Sequence, residues 1–309
     1  MDSPYPPPQP TDRNAAVPQA TPTCYRHGER PTRLSCSACG RPICVDCAHQ
    51  GAVGQKCPEC ARPVGRNRVI TAAEVRSRTT GLGGAPVSRG ILYVTVAIGI
   101  LGFVVPQAWA PIYVALVDNV GLVAAGEVHR IVTAALLHSR SPFHLLFNMW
   151  ALYVFGPELE RRFGSLPFAL FYLAAAAAGG LGFQVVNSAG CTTVGQPGCS
   201  AVGASGAIFG LFGAYLISAY LARNTAAGRA GLNQLLPLLL LNLALPLIIP
   251  RIAWEAHIGG LLAGVLMMVL WRAVTPDPAA GRPGGRATVR WSAVAGAVLI
   301  ACLAVVSLL

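Results

Sequence analysis

Residues 203–207 read Gly-Ala-Ser-Gly-Ala and open an apolar stretch that runs to about Ala222. A stretch of this length and composition predicts a helix that crosses a membrane. Its small residues let neighbouring helices approach closely, so Ser205 either packs in such a contact or acts as a nucleophile. For an isolated serine in such a stretch, a packing role is the more common of the two. The positions of the other polar residues decide between the two interpretations.

The composition of the chain is that of an integral membrane protein. Its 309 residues are 54% hydrophobic and 11% charged, and the mean hydropathy is +0.55. Soluble domains carry about a quarter charged residues. The net charge of +11 comes from 23 Lys and Arg against 12 Asp and Glu. Residues 1–22 are proline-rich and polar, without the apolar core of a signal peptide, and predict a disordered tail.

Seven apolar runs are long enough, or nearly so, to cross roughly 30 Å of hydrocarbon. They are residues 90–109, 142–157, 166–186, 201–222, 233–250, 253–272 and 291–309. The fold class is therefore an all-α polytopic membrane protein. Residues 63–89 and 273–290 predict basic linkers, and the arginines of the first linker are suited to contact with anionic lipid head groups of the bilayer.

The distribution of arginine predicts the orientation of these runs. The connections on one side are rich in arginine, namely Arg161, Arg162, Arg223, Arg229, Arg272, Arg282, Arg286 and Arg290. The connections on the other side carry only Arg130, Arg140 and Arg251. Because cytoplasmic connections are enriched in positive charge, we expect a multi-pass plasma-membrane protein with its N-terminus in the cytoplasm and its C-terminus outside. Cys191 and Cys199 then lie outside, where we predict that they form a disulfide.

Residues 23–62 contain closely spaced pairs of metal-ligand residues. The pairs are Cys24 and His27, Cys36 and Cys39, Cys44 and Cys47, and Cys57 and Cys60. Together they supply enough ligands for two tetrahedral Zn²⁺ ions, which would hold a segment with so few apolar residues in shape. His49 is a spare ligand, and a disulfide-bonded module is the alternative, disfavoured in the cytoplasm. The module carries no recognition-helix pattern, so we expect a cytoplasmic protein partner and no nucleic acid.

Four polar residues fall near the same predicted ends of three different spans. They are His144 and Asn148, which share a helix face, and Ser205 and His257. Taken singly, each histidine could hydrogen-bond a neighbouring helix, and Asn148 or Ser205 could join helices. Their coincidence at one depth favours a functional site, since ionisable residues inside a membrane are costly. Glu255 lies only two residues from His257 and points another way on a helix, which favours a Ser–His dyad over a triad.

These residues, taken with their order and spacing, resemble the rhomboid family of intramembrane serine proteases. The resemblance rests on Gly203-Ala204-Ser205-Gly206, on Ala256-His257-Ile258-Gly259-Gly260 with Gly264, on His144 with Asn148, and on the loop signature Gly126-Glu127-Val128-His129-Arg130. It implies a six-helix bundle over residues 90–272, with residues 291–309 as an added seventh helix. His129 and Phe209 depart from the residues that are frequent in the family at those positions.

The resemblance also implies the chemistry. Ser205 would be the nucleophile and His257 the general base, while His144, Asn148 and the Ser205 backbone N–H would form the oxyanion hole, without a catalytic cofactor. The substrates would be transmembrane segments of other proteins, with a small residue at the cleavage point.

The zinc-ligand pairs resemble a second family, the B-box and other cross-brace zinc fingers. That resemblance places Cys24, His27, Cys44 and Cys47 on one ion and Cys36, Cys39, Cys57 and Cys60 on the other.

Two other functions compete with proteolysis. A catalytically silent rhomboid-like membrane adaptor would bind transmembrane helices and use the zinc module to recruit its partner, but it would be free to lose Ser205 or His257. A small-solute transporter would need charged residues at mid-membrane, which the chain lacks.

Overall fold

The computed structural model describes residues 21–50, 54–61, 81–191, 196, 198–249, 252–274 and 285–309. The chain divides into two compact units, residues 1–70 and 71–309. Nearly all of the predicted tail, and much of both predicted linkers, lie outside the described residues.

The first unit is a small module built around cysteine. It contains a helical turn at Val45–Cys47, a hairpin of strands β1 (His49–Gln50) and β2 (Gln55–Lys56), and a short helix α1 (Pro58–Ala61). Its buried cluster consists of Ile43 and five cysteines. A core with so little apolar surface is typical of small modules that a metal ion holds in shape.

The second unit is helical. Its helices are α2 (Pro86–Val104), α3 (Pro106–Leu116), α4 (Val120–Ala124), α5 (Arg130–Thr133), α6 (Pro142–Phe163), α7 (Ser165–Asn187), α8 (Ser205–Leu221), α9 (Ala226–Ala244), α10 (Trp254–Val274) and α11 (Gly285–Val306). Two short strands, β3 (Asp118–Asn119) and β4 (Ser200–Ala201), pair antiparallel.

Except for the first, each predicted apolar run falls mainly on one helix of this unit. Within the described residues, the helices α2, α7, α9 with its following turn, α10 and α11 are long and apolar enough to cross a membrane. The apolar helix α8 is shorter, at 17 residues. The last turns of α6 carry charged residues, which lower the mean hydropathy of the whole helix. The chain is thus a multi-pass, largely helical membrane protein.

The first span differs from its predicted boundaries at both ends. The run was predicted over residues 90–109, whereas α2 begins at Pro86 and ends at Val104. Pro106 lacks an N–H and cannot continue a helix, so the chain turns at Val105 and starts α3 at Pro106. The sequence did not indicate α3 as a separate element, because its apolar residues continue the composition of the preceding run.

Helix α7 lies at the centre of the bundle and packs against α5, α8, α10 and α11. Glycines bring α8 and α10 unusually close, because a Cβ at Gly260 would overlap the carbonyl oxygen of Gly206 and one at Gly264 would overlap that of Gly210. Such contacts are typical of membrane helices that join through small residues. They place the first turn of α8 directly against α10.

A buried carboxylate joins the start of α2 to the end of α6. Glu160 is 1% exposed and accepts hydrogen bonds from the backbone N–H groups of Val87 (2.9 Å) and Ser88 (2.7 Å). It also accepts from the hydroxyls of Ser88 (2.8 Å) and Ser165 (2.7 Å). A carboxylate at a helix N-terminus satisfies free backbone N–H groups and is favoured by the helix dipole.

A disulfide and a short strand pair fix the segment that leads to α8. Cys191 and Cys199 form the predicted disulfide, with their Cα atoms 5.6 Å apart. The carbonyl of Cys199 accepts hydrogen bonds from the Val120 N–H (3.1 Å) and from Asn119 Nδ2 (3.2 Å). The strand pair β3–β4 then places Asp118 opposite Ala201, four residues before Ser205.

Candidate functional site

Ser205 is the first residue of α8, and the chain just before it packs closely against neighbouring groups. Gly203 has φ of +132°, a conformation that favours glycine, and its N–H donates to the Ala134 carbonyl at 3.0 Å. A Cβ at Gly203 would lie 2.8 Å from His144 Nε2 and 3.6 Å from Ser205 Oγ. The hydroxyl of Ser205 and the imidazole of His144 therefore flank the same small space.

His257 reaches the same end of α8 from α10. Its ring stacks on Phe209, with ring centroids 4.1 Å apart and an interplanar angle of 8°. Phe209 lies four residues after Ser205 and so shares its face of α8. Phenylalanine at the position where the family frequently has tyrosine thus supplies a flat support for the imidazole.

Ser205 and His257 do not form a hydrogen bond with each other within the described structure. His257 is 7% exposed, and its Nδ1 atom is buried without a hydrogen-bond partner. Catalytic hydrogen bonds are often long in the absence of substrate and shorten in the substrate complex. Glu255 is turned towards Asn187, so it does not orient the His257 ring.

The hydrogen bonds of His144 define which of its nitrogens carries a proton. Nδ1 accepts the backbone N–H of Ser139 at 3.3 Å and lies 2.9 Å from the Ser139 hydroxyl. A neutral imidazole that accepts at Nδ1 carries its proton on Nε2. The donor Nε2–H therefore points into the space beside Ser205, as an oxyanion donor would.

Asn148 lies one turn after His144, on the same face of α6. Its Nδ2 donates to the His144 carbonyl at 2.8 Å, and the residue is 8% exposed. An amide group has two N–H donors. One of them is used within the helix, and the second is available to a ligand.

Two buried residues near Ser205 were missed by the sequence analysis. His138 is 4% exposed, lacks a hydrogen-bond partner on either ring nitrogen, and packs edge-on against His144 at 4.9 Å between ring centroids. Burial lowers the pKa of His138 to about 3, so the ring is neutral at physiological pH. Asp118 is 1% exposed and lines a cavity that also contains Ser205. The only sequence signal for either residue was a polar side chain next to an apolar run.

The loop signature is organised by its arginine. Arg130 is 5% exposed and donates to Glu127 from Nε (2.9 Å) and Nη2 (2.6 Å). Its Nη1 donates to the carbonyls of Val114 (2.7 Å) and Val117 (3.2 Å). Arg130 thus fastens the end of α3 to α5, and His129, which departs from the family pattern, makes none of these bonds.

The zinc-ligand residues form two clusters in the first unit. One contains Cys24, His27, Cys44 and Cys47, and the other Cys36, Cys39, Cys57 and Cys60, with the ligand atoms of each cluster within 4.8 Å of one another. This is the grouping that the cross-brace resemblance implies. A hydrogen bond from the Cys57 backbone lowers the pKa of the Cys36 thiol to about 6, which favours the thiolate that metals bind. Both clusters could hold a metal ion.

Comparisons with known proteins match the sequence of this chain to one family. A family model described as "Rhomboid domain" matches residues 125–273. YdcA of Bacillus subtilis, whose name places it among rhomboid proteases, is 38% identical over 152 residues, which cover 49% of this chain and 71% of YdcA. Rhomboid protease GlpG of Haemophilus influenzae is 30% identical over 144 residues, or 45% of this chain and 68% of GlpG. Rhomboid protease GluP of Bacillus subtilis is 36% identical over 146 residues, which cover 26% of GluP.

Proposed function

Because this chain belongs to the rhomboid family, we propose that it is an intramembrane serine endopeptidase that cleaves transmembrane segments of membrane proteins. The observation that carries the proposal is that Ser205 on α8 and His144 on α6 flank one small space, while His257 on α10 stacks on Phe209, one turn after Ser205. The names of its relatives, which are rhomboid proteases, agree with it.

In the proposed acylation step, Ser205 Oγ attacks the substrate carbonyl carbon while a ring nitrogen of His257 takes its proton. A serine hydroxyl is a weak nucleophile until a neighbouring base does this. The proton then passes from His257 to the leaving amine as the C–N bond breaks. A water molecule hydrolyses the resulting ester, again with His257 as the base. The stacked Phe209 ring would hold the imidazole through both transfers.

The oxyanion would be stabilised by three N–H donors. The backbone N–H of Ser205 lies at the start of α8, where amides have no partner within the helix. The Nε2–H of His144 and the second N–H of Asn148 complete the set. Removal of one such donor typically costs about 10²–10³ in kcat.

The substrate must present an extended segment, because a helix engages its carbonyl groups in hydrogen bonds. We infer that small and helix-destabilising residues mark the cleavage point. A dry, helical segment rich in leucine would remain uncut.

The zinc module would serve a separate role. We infer two structural Zn²⁺ ions on the residues of the two clusters, with catalysis requiring no cofactor. Residues 23–62 would form the module, 90–272 the protease core and 291–309 the added helix. The module would bind a cytoplasmic protein partner, in a plasma-membrane protein with its N-terminus inside and its C-terminus outside.

Cleavage of a labelled transmembrane substrate by the purified full chain in liposomes tests the proposal. Ser205→Ala should abolish cleavage, and a fluorophosphonate probe should label the wild type but not this variant. Ser218→Ala is the matched control, because the Ser218 hydroxyl bonds only the Ala214 carbonyl of its own helix. Equal cleavage by Ser205→Ala and the wild type would reject the mechanism.

The missing Ser205–His257 hydrogen bond favours one alternative, a catalytically silent adaptor that binds transmembrane helices. The same experiment separates the two functions. An adaptor would bind the substrate with equal affinity in the wild type and in Ser205→Ala, and neither would cleave it or react with the probe.

A further inference from the structure

A groove runs between α8 and α9, close to the turn that joins them. Its volume is about 750 Å³, which lies in the range of known ligand-binding clefts. Aliphatic residues form both of its sides, among them Leu216 of α8 and Leu236 of α9. Tyr220 and Asn233 are the exceptions among its described lining residues. The groove therefore suits a flexible hydrocarbon chain.

Small residues hold α8 and α9 together beside this groove. A Cβ at Gly228 would overlap the Ala222 carbonyl oxygen, and one at Gly231 would lie 3.2 Å from the Ala219 Cβ atom. Leu236 lies on a different face of α9 and is 45% exposed. Within the described structure, α9 packs mainly against α8. The groove therefore opens onto the outer surface of the bundle, where lipid can enter it.

Two arginines lie at the end of the groove that is nearest the turn. The Arg223 guanidinium lies over the ring of Tyr220, 4.4 Å from its centroid. Arg229 lies four residues before Asn233 and so shares its face of α9. The Nη1 atom of Arg229 donates to the Asn224 carbonyl in the turn at 3.3 Å. Both positive charges therefore lie where the groove meets the turn.

No carboxylate neutralises these charges from the same pair of helices. Residues 205–244, which span α8, the turn and α9, contain no Asp or Glu. Arg223 Nη1 donates to the Tyr220 carbonyl at 3.1 Å, and Arg229 also uses Nη1 for its bond in the turn. Each guanidinium has five N–H donors, so most of them remain for another acceptor. Arginine pairs of this kind match the oxygens of a phosphate group.

We propose that this groove binds one anionic phospholipid, with an acyl chain between α8 and α9 and the phosphate on Arg223 and Arg229. The four residues from Arg229 to Asn233 span about 6 Å of helix, a length comparable to the glycerol unit that joins a phosphate to its chains. The amide of Asn233 would donate to an ester carbonyl of the lipid. In the predicted orientation the site faces the cytoplasmic leaflet, whose surface is anionic. The proposal does not depend on the proposed protease function.

The two arginines would make the site selective for net negative charge. Phosphatidylcholine offers the same chains and the same phosphate, but its quaternary ammonium group would be repelled by the two guanidinium groups. Phosphatidylglycerol has a neutral glycerol in that place. Because each arginine near a membrane surface favours anionic lipid, we expect phosphatidylglycerol to bind about 30-fold more tightly than phosphatidylcholine.

Titration of the purified full chain with the two lipids, matched in their acyl chains, tests the proposal. Native mass spectrometry in detergent counts the bound lipids and gives both Kd values. The wild type should bind one phosphatidylglycerol with the expected preference, and the double variant Arg223→Gln/Arg229→Gln should lower the ratio of the Kd values to about twofold or less. Arg286→Gln/Arg290→Gln is the matched control, because it removes two exposed arginines of α11 on the same predicted side of the membrane and should keep the ratio.

A second pair of variants tests the apolar part of the groove. Leu236→Trp places an indole in the groove and should weaken binding of both lipids several-fold. Leu240→Trp should leave both unchanged, since Leu240 is an exposed residue of α9 outside the groove lining.

Three outcomes would overturn the proposal. They are equal Kd values for the two lipids in the wild type, an unchanged ratio in Arg223→Gln/Arg229→Gln, and equal binding by Leu236→Trp and Leu240→Trp. Excess glycerol phosphate should not displace the bound lipid, because it lacks the chains. Displacement by it would show that the arginines take a soluble phosphate ester instead.

Discussion

Glu255 accepts a hydrogen bond from Asn187 Nδ2 at 2.7 Å, although it lies only two residues before His257 in α10. The bond ties α10 to the end of α7 and turns the carboxylate away from the imidazole. Because residues two apart point in different directions on a helix, no small rotation would bring Glu255 to His257. We therefore expect the proposed catalytic pair to work without a third, acidic member.

Glu255→Gln should retain cleavage within about threefold of the wild type, because glutamine still accepts the Asn187 hydrogen bond. His257→Ala should abolish cleavage, since the nucleophile loses its base. Initial rates with one labelled transmembrane substrate compare the two. A loss in Glu255→Gln as complete as in His257→Ala would show that the carboxylate takes part in catalysis.

Gly260→Ala should lower kcat/KM by about 10²-fold while the protein still inserts, because its Cβ would overlap the Gly206 carbonyl oxygen and push α10 from α8. Gly296→Ala is the matched control, since a Cβ at that position in α11 meets nothing within 4 Å. Cleavage rates and membrane extraction of both variants are measured. Wild-type rates for Gly260→Ala would mean that close contact of the two helices is dispensable.

Glu160→Gln should lower the free energy of unfolding by about 2–4 kcal/mol, because the charge that accepts at the N-terminus of α2 is lost inside the protein. Glu158→Gln removes an exposed ion pair with Arg161 and should cost less than about 1 kcal/mol. Denaturation in detergent micelles measures both. Equal stabilities would indicate that the Glu160 hydrogen bonds contribute nothing beyond those of glutamine.

Cys24→Ser should lower the zinc content from about two ions to about one per chain, because it removes a buried ligand of one tetrahedral cluster. Cys302→Ser, which changes a buried thiol in α11 outside both clusters, should keep about two. Elemental analysis of the purified chain gives the count. A full complement in Cys24→Ser would argue against the cross-brace arrangement.

The helices and the polar residues at their ends could be predicted because both depend on local sequence. Apolar length indicates a span, and the four-residue spacing of His144 and Asn148 places them on one face. Asp118 could not be predicted in the same way. It lines the same cavity as Ser205 and lies in a two-residue strand that pairs with Ala201, and no sequence pattern marks so short a pairing.

The burial of Glu160 is a second feature that local sequence does not indicate. A charged residue beside Arg161 and Arg162 reads as a solvated helix end, yet it is buried because the amides of Val87 and Ser88 reach it across more than 70 residues of chain. Likewise, Pro106 is visible in the sequence, but the hydrogen bond that Arg130 donates to Val114 near the end of the helix could not be predicted. Partners distant in the chain decide these features.

The bridge between Cys191 and Cys199 restricts how samples of this protein can be prepared. Cys199 is buried, while Cys39 in the other unit is exposed and open to oxidation. A purification buffer with excess strong thiol keeps Cys39 reduced but risks reducing the disulfide between Cys191 and Cys199. A buffer without reductant preserves the disulfide but leaves Cys39 open to oxidation. If the two clusters bind Zn²⁺ as proposed, saturating zinc with only a mild reductant should preserve both, because a metal-bound thiolate needs less protection.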